Sequence, residues 1–178
     1  MTTTVKIQLL LQANYIMKLF LTGKPGCGKT TLFLKIISSL DINVSGFYTE
    51  EIRKRGVRVG FRIKTFDGRQ GVLASISEPT ENRIGRYYVD LQTFERIAIP
   101  TMKTNAQLYA IDEIGKMEML SAGFREMLTT LLNSDQNILA TVGLRYRNIL
   151  PSEGMVIEVK PERIDHLRDK VVKILKSG

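Results

Sequence analysis

Eight consecutive residues, Gly23-Lys24-Pro25-Gly26-Cys27-Gly28-Lys29-Thr30, combine three glycines with lysine and a hydroxyl in an order suited to holding phosphate. They match the P-loop pattern, with an apolar stretch before and an amphipathic stretch after, the strand and helix that this pattern requires. Glycines let successive backbone N–H groups turn inward around an anion, and the N-terminus of the following helix adds a positive partial charge. Lys29 would set its ammonium against the β- and γ-phosphates, and the Thr30 hydroxyl would offer one oxygen to magnesium (Mg2+). Gly23, Gly26 and Gly28 shape the cradle, whereas Lys24, Pro25 and Cys27 enter through their backbone. Thr31 is read as a neighbour of the α-phosphate or as a plain helix residue.

A second constellation follows in Leu108-Tyr109-Ala110-Ile111-Asp112-Glu113, an apolar strand that ends in two carboxylates. In an open α/β sheet, ligands gather at the carboxyl ends of the strands, so both acids would face the phosphate loop. Asp112 is expected to hold magnesium through water, and Glu113 to orient and deprotonate the attacking water. An acidic pair after a strand is ordinarily a helix cap or a solvated pair. The P-loop in the same chain turns that reading toward catalysis. Charge growing on the leaving phosphate oxygens calls for a cation, and Lys116, Arg83, Arg86, Arg145 and Arg147 are the candidates. Arg145 is the first choice because it follows the strand Ile138 to Val142. Lys160 to Arg163, after the last strand, are expected to flank the base, with Arg163 as a nucleotide-binding residue. His166 is read as solvated helix surface.

These residues need elements to position them. Lys18 to Thr22 reads as a buried strand, and Thr30 to Leu40 as a helix with Phe33, Ile36, Ile37 and Leu40 on one face. Val44 to Ile52, Val57 to Phe66 and Arg69 to Ile76 read as strands joined by turns at Lys54-Arg55-Gly56 and Asp67-Gly68, hence antiparallel hairpins. A polar stretch from Glu78 to Arg86 leads through a short strand or turn, Tyr87 to Asp90, into a helix from Leu91 to Ile97. Ser121 caps a helix bearing Phe124, Met127, Leu128 and Leu131 at helical spacing. Further strands are expected at Ile138 to Val142 and Met155 to Val159, and Pro161 opens a last helix with Ile164, Leu167, Val171 and Ile174 inward. Alternating strands and helices predict a three-layer α/β fold, a mostly parallel sheet covered on both faces, with an antiparallel β-hairpin region inserted after the first helix. Residues 17–178 form one domain in this reading, complete from Met17, where an alternative translation start would fall. Residues 1–16 form an N-terminal extension whose Val5, Ile7, Leu9 and Leu11 alternate like an added edge strand.

Bulk properties bound the functional classes. The 178 residues are 43% hydrophobic and 25% charged, enough to bury a core in a domain of ordinary size. Cys27 is the single cysteine and His166 the single histidine, so an internal disulfide and the usual zinc sites are excluded. The chain has neither an apolar run of membrane-spanning length nor a secretory leader, which predicts a cytoplasmic protein with no membrane partner. A net charge of +8 favours polyanions, nucleoside triphosphates first and nucleic acid second. Its cations are spread along the chain, with Arg53-Lys54-Arg55 the densest run.

Three segments taken together are more specific than the loop alone: Lys18 to Leu32, then Gly46-Phe47-Tyr48-Thr49-Glu50-Glu51-Ile52-Arg53, then Asp112-Glu113-Ile114-Gly115-Lys116-Met117-Glu118. From Met17 onward this resembles the small nucleoside triphosphatases first described in thermophiles. The resemblance implies a RecA-like P-loop core and magnesium-dependent hydrolysis of several nucleoside triphosphates (ATP, GTP, CTP and UTP) to diphosphate and phosphate. Two enzymatic rivals use the same loop: a nucleotide or polynucleotide kinase, and an ATPase stimulated by nucleic acid. A guanine-nucleotide switch is disfavoured, because Asp112-Glu113-Ile114-Gly115 matches Asp-x-x-Gly but no Asn-Lys-x-Asp motif accompanies it.

Overall fold

Lys18–Thr22 form strand β1, and all five side chains are buried. Leu19 and Leu21 join one apolar layer and Phe20 the other, the two-sided burial expected of a central parallel strand. The computed structural model describes residues 16 to 176, so the expected edge strand in the N-terminal extension lies outside the described residues. After β1 come helix α1 (Lys29–Ile37), β2 (Val44–Lys54), β3 (Val57–Thr65), β4 (Gln70–Ser75), β5 (Asn82–Ile84) and β6 (Tyr87–Val89). Then follow α2 (Leu91–Thr101), β7 (Leu108–Ile114), α3 (Ala122–Leu132), β8 (Ile138–Val142), β9 (Met155–Glu158) and α4 (Ile164–Lys176).

The strands make one sheet in the order β5-β6-β4-β3-β2-β7-β8-β1-β9. From β2 through β9 the pairings are parallel. Beyond β2 they are antiparallel, so half the width of the sheet is built from meandering strands. The β2–β3 connection uses Arg55 and Gly56 with φ of 49° and 78°, the positive pair that a two-residue hairpin turn demands.

Helices cover both faces. α1 and α4 enclose Leu32, Phe33, Ile36, Val171 and Ile174 with Leu19, Leu21, Leu108 and Leu139. α2 and α3 enclose the opposite layer, where Phe47, Phe94 and Phe124 meet edge-on at centroid distances of 5.4 to 5.8 Å. Ser121 caps α3 as expected, accepting from Phe124 N at 2.9 Å. α1 stops at Ile37, three residues early, and α2 runs past Ile97 to Thr101 with Pro100 in its last turn. Pro161–Arg163 form a separate single turn before α4. β7 continues through Asp112 and Glu113 to Ile114, although the apolar pattern ends at Ile111. All the parallel strands therefore direct their carboxyl ends to one side, where the glycine-rich loop leaves β1 and the two acids sit on β7.

Candidate active site

The loop between β1 and α1 is shaped by close packing. Gly28 caps α1 with φ of 91° and no side-chain hydrogen bond, so no cap side chain occupies the first N–H groups of the helix. A Cβ on Gly28 would also lie 2.6 Å from Ile164 Cδ1, which brings α4 against the base of the loop. Lys29 folds across the loop, donating to the carbonyls of Gly23 at 3.3 Å and Lys24 at 3.4 Å. Both bonds are long, and an anion in the cradle would compete for the same ammonium.

Thr30 Oγ1 donates to Asp112 Oδ2 at 2.8 Å, joining the start of α1 to β7. Thr141 on β8 donates to the other carboxylate oxygen. Asp112 is 1% exposed, and burial raises its pKa to about 6; the two threonine hydroxyls oppose the rise and the charge of Glu113 adds to it. An acid inside a buried strand is tolerated because each oxygen has a donor. Glu113 is half-buried beside it. Glu118, in the single turn after β7, is 4% exposed and its pKa is pushed up to about 8, first by burial and then by the charges of Glu113 and Asp112. Gly115 lets these acids converge: a Cβ there would lie 2.6 Å from Glu113 Oε1 and 2.8 Å from Glu118 Oε2.

A cavity of about 840 Å³ opens at this place. Gly23, Pro25, Gly26, Gly28, Lys29, Thr30 and Thr31 of the loop and α1 line it, together with Asp112, Glu113, Lys116 and Arg145. Lys24, Cys27 and Arg163, expected at the nucleotide, do not line it. Lys24 is exposed, Cys27 packs against the apolar layer under α1, and Arg163 is exposed in the turn before α4. Arg83 stacks over Tyr88 and Arg86 over Tyr87 on the antiparallel strands, away from the loop. His166 is exposed, as expected. Sequence reasoning missed Thr49, Glu50, Phe61, Leu73, Ile84 and Glu118, all of which line the cavity. Of these, Thr49, Glu50 and Glu118 stood in the segments that carried the family resemblance, but no local signal marked Phe61, Leu73 or Ile84.

A glycine-lined loop at a helix start, closed through Thr30 onto a strand acid, defines a P-loop nucleotide-binding α/β protein. A family model described as NTPase matches residues 18–172, and the chain belongs to this nucleoside-triphosphatase family, hydrolases by activity. Nucleoside-triphosphatase THEP1 of Thermotoga petrophila is 40% identical over 168 residues, covering 90% of this chain and 93% of the relative. The crystal structure of THEP1 from Aquifex aeolicus superposes with a TM-score of 0.81 at 34% identity, covering 90% of this chain and 99% of that one. The solution structure of a human cancer-related nucleoside triphosphatase gives 0.76 at 34% identity, covering 91% and 98%.

Proposed function

We propose that this protein hydrolyses ATP, GTP, CTP and UTP to the nucleoside diphosphate and phosphate with magnesium, through Lys29, Thr30, Asp112 and Glu113. The observation that carries this reading is the 2.8 Å contact between Thr30 and Asp112, which closes the loop onto the acid pair in a cavity that Lys29 and Glu113 share. The Thr30 hydroxyl and Asp112 carboxylate are hard oxygen donors, few in number, which suits a cation that takes most of its ligands from water and phosphate. Among the described residues no cluster of three acidic, histidine or cysteine ligands exists to form a metal site without phosphate. When bound, magnesium would neutralise charge on the β- and γ-phosphate oxygens.

In this reading Lys29 leaves the two loop carbonyls and turns to the phosphates. The N–H groups at the start of α1 hold the phosphate oxygens. Glu113 orients a water and accepts its proton as the oxygen attacks phosphorus. Lys116 and Arg145, both exposed at the cavity wall, oppose the charge that grows on the leaving oxygens. The identifiable contacts address phosphate rather than base, hence the broad choice of nucleotide. The fold is taken as a three-layer RecA-like core with its hairpin region inserted after α1.

Steady-state phosphate release with each of the four nucleotides, with and without magnesium, tests the reading. Metal-dependent release from all four supports it, and a hundredfold preference for one, roughly 2.7 kcal/mol, would mean a dedicated base pocket. The same assay with RNA added tests whether nucleic acid stimulates turnover.

A further inference from the structure

Both oxygens of Asp112 are held by threonine hydroxyls, yet the two threonines differ in their access to a ligand. Thr30 lines the cavity, whereas Thr141 is fully buried and does not. Thr141 lies on β8, which pairs with β1 along one edge and with β7 along the other. Its partner in β1 is Leu21, just ahead of the glycine-rich loop. Toward β7 the register slips: Ile111 faces Ala140 and Ile114 faces Val142, so Asp112 and Glu113 together lie opposite Thr141. An extra residue in one strand re-aims the side chains around it. Here two acids stand against one threonine, and its hydroxyl goes to Asp112. Among the described residues that hydroxyl has no other hydrogen-bond partner.

A hydroxyl carries one proton and two lone pairs. The Thr30 proton is committed to Asp112, which leaves the lone pairs of Thr30 for a cation. A carboxylate turns readily about its last bond, because that torsion is broad for aspartate. With one donor its plane could swing. The second donor stands on a strand paired along both edges, and it fixes the plane. Thr141 therefore sets the direction of the Asp112 oxygen that meets Thr30, and through it the direction of the Thr30 hydroxyl.

We infer that Thr141 is a positioning residue for magnesium: it touches neither cation nor nucleotide, and it holds Asp112 and Thr30 in the orientation that binds the ion. The inference rests on the reading of Thr30 and Asp112 as the magnesium site. Without the Thr141 donor one buried oxygen of Asp112 is unsatisfied, and the acid is free to turn toward another partner.

The measurement is the magnesium concentration that half-saturates binding of a fluorescent, non-hydrolysable ATP analogue to the full chain, with affinity in metal-free buffer as the reference. Thr141→Val keeps the shape and removes the donor. It should raise that concentration at least about tenfold, the smaller loss usual when a group supporting a metal ligand is removed, with metal-free affinity unchanged. Thr141→Ser keeps the hydroxyl and should restore the wild-type requirement. Serine and alanine differ by the hydroxyl alone, so the same gap is expected between Thr141→Ser and Thr141→Ala if the valine variant does not fold. Asp112→Ala removes the group through which Thr141 acts, and adding Thr141→Val to it should raise the requirement no further. A further rise in the double variant would overturn the route through Asp112. Equal requirements in wild type, Thr141→Val and Thr141→Ala, beside a rise in Asp112→Ala, would overturn the inference and leave the magnesium reading standing. No rise even in Asp112→Ala would overturn both.

Discussion

Three acids within a few residues have different surroundings and therefore different duties. Asp112 is buried with a donor on each oxygen, Glu113 is half-buried at the cavity, and Glu118 is buried against backbone N–H groups. Gly115 sets the spacing of the last two, since a methyl group there would overlap both carboxylates. Gly115→Ala should therefore displace Glu113 and lower kcat by about a hundredfold, the usual cost of misplacing a catalytic group by an ångström, with nucleotide affinity nearly unchanged. Equal loss in kcat and affinity would mean that Gly115 serves the loop instead. Glu118 also makes stability depend on pH. Its folded pKa of about 8 exceeds the ordinary 4.5, so the native state holds a proton that the unfolded chain releases between those values. The stabilisation is full below about 4.5 and falls as pH rises to about 8, by up to roughly 1.4 kcal/mol per pH unit. Glu118→Gln removes this dependence, so its unfolding midpoint should gain on wild type between about pH 5 and pH 8. Parallel denaturation curves at the two pH values would show that Glu118 ionises freely in the native state.

At the scale of elements, strands β2 and β7 approach closely because Gly46 has no side chain: its φ is 127° and a Cβ would sit 1.9 Å from the Ala110 carbonyl. Gly46→Ala is expected to cost at least about 2 kcal/mol by backbone strain before the clash is counted, readable as a lower urea midpoint. A variant of wild-type stability would disprove this contact. The central strands were legible because both sides of each are apolar, as in Leu19-Phe20-Leu21 and Ile138 to Val142. β5 was not, since Asn82–Ile84 lies in a polar stretch, pairs only with β6 and owes its strand form to that partner. The end of α2 was set too early at Ile97, because the helix carries Pro100 into its last turn. β7 outran its apolar pattern because threonines on α1 and β8 satisfy Asp112, a long-range match that no local period reveals. For the same reason the loop and the acid pair could be read as contiguous motifs, whereas Phe61, Leu73 and Ile84 come together only through the order of the sheet.

For the whole molecule, a ligand that binds only the folded state must stabilise it. Magnesium-nucleotide at a hundred times its Kd should add about 2.7 kcal/mol, which for a chain of this size raises Tm by roughly 5–11 °C. Lys29→Ala should abolish that shift, and a shift that survived the substitution would place the nucleotide elsewhere. Glu113→Gln tests most directly whether Glu113 accepts the proton of the attacking water. The amide keeps the shape and a hydrogen bond but lacks the basicity, so affinity should persist while kcat falls at least about a hundredfold, the lower bound for a general base. Retention of more than about a tenth of wild-type turnover would contradict the assignment and require another group, or the γ-phosphate itself, to activate the water.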